Sequence, residues 1–425
     1  MRCDRRRRFM PTLFICALTR HICAAIVHGG QSVGGMKDKI PPPSIVSSAS
    51  IAVLFEEDFH IRHRREGSNM ERQRTFIWTR CRGMLAALTA LVSLVSIAIR
   101  AEAAPAQFLT LMTHNVYFGA DLSPVLDSPN PDLPLLWDEV KASDIPARAT
   151  RIADKIAIEE PEIVALQEAA QWSGPGPNGS TIHYDFLLSI LSELALRGEH
   201  YAPVKVIDDL DITAPVAPGY VHFVDRDILL ARTDLPPARL SFSNVQAASY
   251  SNLLSVSTAL GPITIPRSWI SADVSMGGKK FRFITTHLES LSSVIQEAQA
   301  GELIAGPADT SLPVVMAGDF NSNANGLPNL PDNTSTYENL LGAGFSDIWT
   351  AVGHNRIGNT CCQEADLTNF PSGLSERIDL VLTNGGIKGV AEGVIDNHFW
   401  DRVSSPAGPL WPSDHGGLVA VVKMP

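Results

Sequence analysis

The chain has little charge, few aromatic rings and few cysteines: 19% charged residues, 7% Phe, Trp and Tyr, and six Cys in 425 positions. Beside 45% hydrophobic residues, such a content is ordinary for a globular protein with a large core. No C-x-x-C spacing occurs, which excludes the common cysteine metal sites. No repeat period and no regular alternation of strand with helix is found, so neither a solenoid nor a doubly wound parallel sheet is indicated. Also missing are a basic stripe with interleaved aromatics, the mark of single-strand nucleic-acid binders, and a hydrophobic hairpin that would dip into a membrane. Basic residues are the minority, and residues 105–425 hold only 18 of them against 37 acidic side chains. A body with a net charge of −19 disfavours long-range capture of nucleic acid and would be partly offset by divalent cations, although a local groove can still be basic.

The first hundred residues differ from the rest. Residues 84–99 form a 16-residue apolar run, preceded by Arg72, Arg74, Arg80 and Arg82 and followed by Ala101-Glu102-Ala103. Basic flank, short apolar run and A-x-A together read as a secretory signal peptide, cleaved after Ala103 or Ala104. A retained anchor is the alternative, but 16 helical residues reach about 24 Å against about 30 Å of hydrocarbon. Signal peptides start near the initiator, so Met70 is expected as the true start and 70–104 as the signal peptide. Residues 1–69 show no domain-like periodicity and are expected to be a spurious or disordered extension. The mature chain, 105–425, is then secreted or periplasmic, a monomer, with no stable membrane span after processing. Cys3, Cys16, Cys23 and Cys81 fall in the part expected to be lost. Cys361 and Cys362 remain, as a vicinal disulfide or as a packed thiol pair.

Residues 314–325, V-V-M-A-G-D-F-N-S-N-A-N, organise the remainder. Four apolar residues have the length and branching of a buried strand, and the run breaks at Gly318 into turn-formers. If the chain stays extended past Gly318, Asp319 and Asn321 point to the same side, where a carboxylate and an amide could hold a water and a phosphoryl oxygen. Gly318 would let the backbone approach closely. An ordinary Gly-Asp turn closing a core strand is the plainer alternative.

Around this stretch the pattern supplies more strands ending in polar groups. Residues 107–116 alternate apolar with polar and end at Asn115; 162–168 end in Glu168; 281–286 end at His287; 378–383 begin after Arg377 with Asp379 just inside; 418–422 follow Asp414-His415. Further strands are expected at 228–231, 253–256 and 269–274. Helices are expected at 135–141, 184–197, 335–341 and 147–160, the last with Arg148, Arg151 and Lys155 on a solvated face. Strands outnumber helices, which argues α+β or mixed sheets with covering helices in one large domain. If two packed sheets bring these strand ends to one rim, they form an oxygen-rich pocket with two histidines. Such a pocket suits Mg²⁺ or Mn²⁺ better than zinc or copper. Taken singly, each residue has a bland reading: Glu168 as a cap or surface acid, Asp414 as an N-cap, His287 as a core histidine.

Six short motifs occur in one order: T-H-N-V at 113–116, A-L-Q-E at 165–168, T-T-H-L at 285–288, G-D-F-N at 318–321, R-I-D-L-V-L at 377–382 and S-D-H-G at 413–416. In this the chain resembles the endonuclease/exonuclease/phosphatase superfamily, whose fold is that of deoxyribonuclease I, AP endonucleases, neutral sphingomyelinases and inositol-polyphosphate 5-phosphatases. The resemblance spans nearly all of 108–422. It implies a four-layer α/β sandwich, two packed mixed β-sheets flanked by helices, and a metal on Glu168 with help from Asn115 and Asp414. Asp319 would orient or deprotonate the attacking water and Asn321 would hold the phosphate. His415, steadied by Asp379, and His287 would stabilise charge on the phosphoryl oxygens. An acid near 228 often backs the first histidine in such proteins; Asp225 and Asp227 both qualify, with Asp225 slightly favoured. Asp347 is expected to be structural.

The function expected is a secreted Mg²⁺- or Mn²⁺-dependent phosphohydrolase acting on a small or lipid phosphoester. Alternatives are an extracellular DNA or RNA endonuclease and a catalytically inactive binding protein on the same scaffold. Substrate choice is expected in loops at 173–180, 208–219, 323–333 and 358–375, which carry no diagnostic motif. The stretch T-C-C-Q-E-A-D-L-T-N at 360–369 is similar to one in secreted bacterial members, which makes a bacterial source the expectation.

Overall fold

The computed structural model describes residues 107–326, 334–354 and 357–425. The expected signal peptide, the 1–69 extension and part of the 323–333 loop lie outside the described residues. No described helix is long and apolar enough to cross a membrane.

The chain opens with β1 (Phe108–Asn115), then α1 (Ser123–Asp127), α2 (Leu133–Ala142) and α3 (Ile145–Glu159). Next come β2 (Ile163–Gln167), β3 (Gln171–Pro175), β4 (Thr181–Asp185) and α4 (Phe186–Leu196). A long antiparallel ribbon follows, β5 (Tyr201–Val216) with β6 (Gly219–Arg232), then β7 (Leu240–Ser249) and a detached hairpin of β8 (Leu254–Thr258) and β9 (Gly261–Ile265). The second half runs β10 (Ser268–Met276), β11 (Lys279–His287), α5 (Ser293–Ala305), β12 (Val314–Asp319), α6 (Thr336–Gly342), β13 (Ser346–Asp347), α7 (Ile348–Ala351) and β14 (Asp379–Thr383). It closes with β15 (Lys388–Ile395), the small pair β16 (Val403–Ser405) and β17 (Gly408–Leu410), and β18 (Gly417–Lys423).

Two mixed sheets carry the fold. One is ordered β15-β18-β1-β2-β6-β3-β4 with β5 on β6, the other β13-β14-β12-β11-β10-β7. Each has a central parallel pair, β1 with β2 and β11 with β12, flanked on both sides by antiparallel strands. Period-two alternation decides what each face does. Leu109 and Leu111 of β1, Ile163 and Ala165 of β2, Phe281 and Phe283 of β11, and Val315 and Ala317 of β12 meet in one apolar core between the sheets. Their neighbours turn outward: Met112, Val164 and Leu166 pack under α2, α3 and α4, while Val314, Met316 and Leu380 pack under α5 and α6. Helices, sheet, sheet and helices thus form the expected four-layer α+β sandwich.

Three expectations need correction. The 208–219 segment is no loop: it is most of β5, its turn and the start of β6, and as an edge strand β5 tolerates Pro203 and Pro215. Within 173–180, residues 173–175 likewise belong to β3, and only 176–180 form the loop to β4. The basic face of α3 is not solvated. Arg148 is fully buried and donates to the carbonyls of Val116, Tyr117 and Pro412, while Arg151 and Lys155 pair with Asp396 and Asp401. Three carbonyl acceptors explain how a guanidinium can be buried. The β8–β9 hairpin stands apart from both sheets, with Leu260 at its tip 43% exposed. As expected, Asp347 is structural: buried, it caps α7 and receives Arg377 and Tyr337.

Candidate active site

Inner-face parity continues past the apolar core to the rim. Positions 109 and 111 lead to Asn115, 281 and 283 to His287, 315 and 317 to Asp319, and 381 back to Asp379, so four polar groups face one another across the sheets. Just below them, Gln167 Nε2 donates to Thr285 Oγ1 at 3.1 Å and bridges the two halves. Antiparallel neighbours bring their beginnings to the same rim as the ends of the parallel pairs: Asp379 is opposite Asp319, and His415 stands two residues ahead of β18, the partner of β1.

Asp319 sits at the centre. It is 1% exposed, with Oδ2 accepting from Asn115 Nδ2 at 3.0 Å and lying 3.5 Å from His287 Nε2 and 3.9 Å from His415 Nε2. Burial, and then Asp379, push its carboxyl up to about 6. His415 Nδ1 lies 2.8 Å from Asp379 Oδ2. Burial opposes charge on His415, but Asp379, Asp414 and Asp319 outweigh it and hold the imidazole well above its ordinary range. His287 goes the other way: burial, Arg267 and His415 keep it neutral.

Glu168 adopts a left-handed backbone (φ 58°), as does Tyr117 (φ 56°), a strained choice for side chains with a Cβ. Asn115 Nδ2 at 3.0 Å and the Phe118 N–H at 3.2 Å hold its two oxygens. Burial, then repulsion from Asp414 and Asp225, lift its carboxyl to about 8. Asp414 is raised too, burial being the main cause. Among the described residues, Asp319, Asp379 and His415 offer ligand atoms within 4.8 Å of one another; Glu168 and Asp414 belong to no such triad. Asn115 turns its nitrogen to the carboxylates and its oxygen to the Tyr117 N–H (3.0 Å), whereas a metal ligand would present the oxygen.

Two further placements depart from expectation. The chain does not stay extended past Asp319: Asn321 has φ 49°, and its N–H closes a turn on Asp319 Oδ1 at 2.9 Å, so the two side chains do not line one face. Asn321 Nδ2 instead donates to Leu288 O at 2.9 Å. The close approach at Gly318 is to the neighbouring strand, since a Cβ there would sit 2.1 Å from Thr286 O. Asp225 makes no hydrogen bond or ion pair with His287 among the described residues, nor does Asp227. Arg267 takes that place, with Nη1 3.0 and 3.1 Å from the ring nitrogens. Asp225 Oδ1 and both Asp227 oxygens are buried and without a hydrogen-bond partner among the described residues.

Arg267 and Arg148 escaped the sequence reading. Arg267 precedes β10, which runs antiparallel to β11, so it reaches the rim where His287 ends; that register was the available signal. Arg148 ties the exit of β1 to Pro412, and Ser413 Oγ donates to Asn115 O at 2.7 Å, which fixes Asp414 and His415 beside the rim. Cys361 and Cys362 are joined in a disulfide whose sulfurs lie near His415.

No curated protein matches the chain. Several solved structures are similar to it. An endonuclease/exonuclease/phosphatase from Beutenbergia cavernae is 21% identical, with 75% of this chain and 72% of that one covered and a TM-score of 0.49. A family protein from Bacteroides thetaiotaomicron is 15% identical over 76% of this chain and all of that one (TM-score 0.47). A mannosyl-6-phosphatase from the same species is 16% identical over 74% and 99% (TM-score 0.46). The pattern defining the Endonuclease/Exonuclease/phosphatase family matches residues 112–415, from inside β1 to His415, and the chain belongs to that family.

Proposed function

We propose that this protein is a secreted, divalent-metal-dependent phosphoric ester hydrolase that attacks phosphorus with water. The observation that carries the reading is the placement of Asp319 within 4 Å of two histidines of opposite charge state, one held cationic by Asp379 and one kept neutral.

The donor set fits a hard cation. Glu168, Asp225 and Asp414 are buried carboxylates, Asp414 and Asp225 both raise Glu168, and one Asp225 oxygen has no partner among the described residues. Glu168 and Asp414 would hold Mg²⁺ or Mn²⁺; Asn115 would brace Glu168 and Asp319. Once bound, the ion supplies Lewis-acid neutralisation of the phosphoryl oxygens. Asp319, ionised at neutral pH in most molecules, accepts a proton from water as the water oxygen bonds to phosphorus and the ester P–O bond breaks. Cationic His415 faces the charge gathering on the phosphoryl group, and neutral His287 offers one N–H. Asn321, with one amide hydrogen on Leu288, has a second for a phosphoryl oxygen.

Residues 104–425 incubated with Mg²⁺, Mn²⁺ or EDTA against bis(p-nitrophenyl) phosphate, sphingomyelin, inositol phosphates and plasmid DNA test this directly. Metal-dependent turnover of at least one is expected; no turnover with any metal overturns the reading. The secretion component rests on residues 70–104 and is checked by N-terminal sequencing of exported protein, with a start at Ala104 or Pro105 expected.

A further inference from the structure

Glu168, Asp225, Asp414 and Arg267 face one common half-open space. They form the floor of a cavity of about 320 Å³, within the range of small-molecule sites, whose walls are hydrocarbon. Leu210 and Ile212 of β5, Phe223 of β6, Val125 of α1 and Ile263 of the detached hairpin line it, while Glu168, Asp225, Arg267 and Asp414 close the polar end. The hairpin belongs to neither sheet, packs beside α1, and presents Ile263 and Leu260 to this space. A bare phosphate or a sugar phosphate would leave those walls wet. DNA would meet apolar side chains where phosphate contacts call for lysine and arginine.

We propose that the cavity holds a hydrocarbon chain attached to the phosphate under attack, so that the substrate is an amphiphilic phosphoester. This rests on the hydrolase reading above and narrows it. Continuity is the warrant: one half-open space joins a polar end, where an ion on Glu168 and Asp414 and the Arg267 guanidinium would meet a phosphate, to an apolar end suited to methylene groups. Each buried methylene should then strengthen binding about fourfold until the cavity is filled.

The test uses the full chain and two series of probes below their micelle concentrations. Mixed p-nitrophenyl alkyl phosphodiesters, from ethyl to decyl, report kcat/KM in Mg²⁺. Linear alkylphosphonates of the same lengths, which cannot be hydrolysed, report Kd by calorimetry. In both series a rise of about fourfold per methylene is expected, then a plateau. Ala214→Trp, which projects into the cavity, should bring the plateau to shorter chains, and Ile212→Asn should flatten the slope, in the phosphonate Kd as in kcat/KM. Affinity independent of chain length overturns the proposal, as does a slope untouched by either variant. Absence of turnover with a preserved slope in the phosphonates overturns the hydrolase reading alone.

Discussion

Two buried clusters of charge flank β14, and they are built on opposite principles. Around Asp347, one carboxylate receives Arg377 Nη2 at 2.7 Å, the Tyr337 hydroxyl at 2.7 Å and the Trp349 N–H at 3.0 Å. Both oxygens of Asp347 are satisfied. Around Asp319, five acids (Glu168, Asp225, Asp319, Asp379 and Asp414) crowd against His415 and Arg267, and three of those acids are pushed up by one another as well as by burial. The first cluster resembles what folding alone would select. The second is a deficit of positive charge kept in the folded state, which is what a site awaiting a cation and an anionic reactant requires.

Breaking the satisfied cluster should cost stability. Asp347→Ala leaves Arg377 buried without its carboxylate, and a loss of about 3–5 kcal/mol is expected in denaturant unfolding, with turnover per folded molecule nearly intact. Breaking the crowded cluster should do the reverse. Asp319→Ala and His415→Ala are each expected to lower kcat at least about a hundredfold while leaving the unfolding midpoint close to the parent value. A variant of either that keeps full activity removes that residue from the proposed chemistry.

Addition of Mg²⁺ sharpens the contrast further. At about a hundred times its Kd the ion should stabilise the fold by about 2.7 kcal/mol, and Glu168→Gln should abolish the shift whereas Asp347→Asn should not. The smallest effect concerns Glu392, close enough to the satisfied cluster for Asp347 to raise it, burial being the larger cause. Its carboxyl stays protonated when folded but ionises when unfolded above its ordinary value of about 4.3. The folded state therefore holds the extra proton, and stability falls as pH rises through that window. Glu392→Gln should match the parent near pH 4 and exceed it increasingly as pH rises towards 8.

Most of the rim was legible because strand ends leave a plain trace: an apolar run stops and a polar residue follows. Parity carried Asn115, His287, Asp319 and Asp379 to one face. What escaped had no such trace. Arg267 stands before a strand, and only the antiparallel register with β11 brings it to His287. Arg148 sits within a charged helix face and is buried because three carbonyls from other segments await it. Helix α5 was missed since its buried face includes Gln296 and Gln299, which donate to loop carbonyls at Glu289, Asn321 and Asn252, so the apolar period is blurred. Acids and prolines in β5 imitate a loop, although Leu210, Ile212, Ala214 and Val216 alternate as a strand requires.

The matching layout of the two sheets, each a parallel couple between antiparallel flanks, means that neither half of the chain owns the chemistry. Asn115 and Glu168 ride on one slab, His287 and Asp319 on the other, with Gln167 and Thr285 as a narrow pin between them. A slip of a few ångströms along that seam would leave every helix and ladder intact and yet disassemble the reacting centre. Under mild urea, enzymatic output should accordingly fade before circular dichroism does, making turnover a gauge of how tightly the slabs are docked.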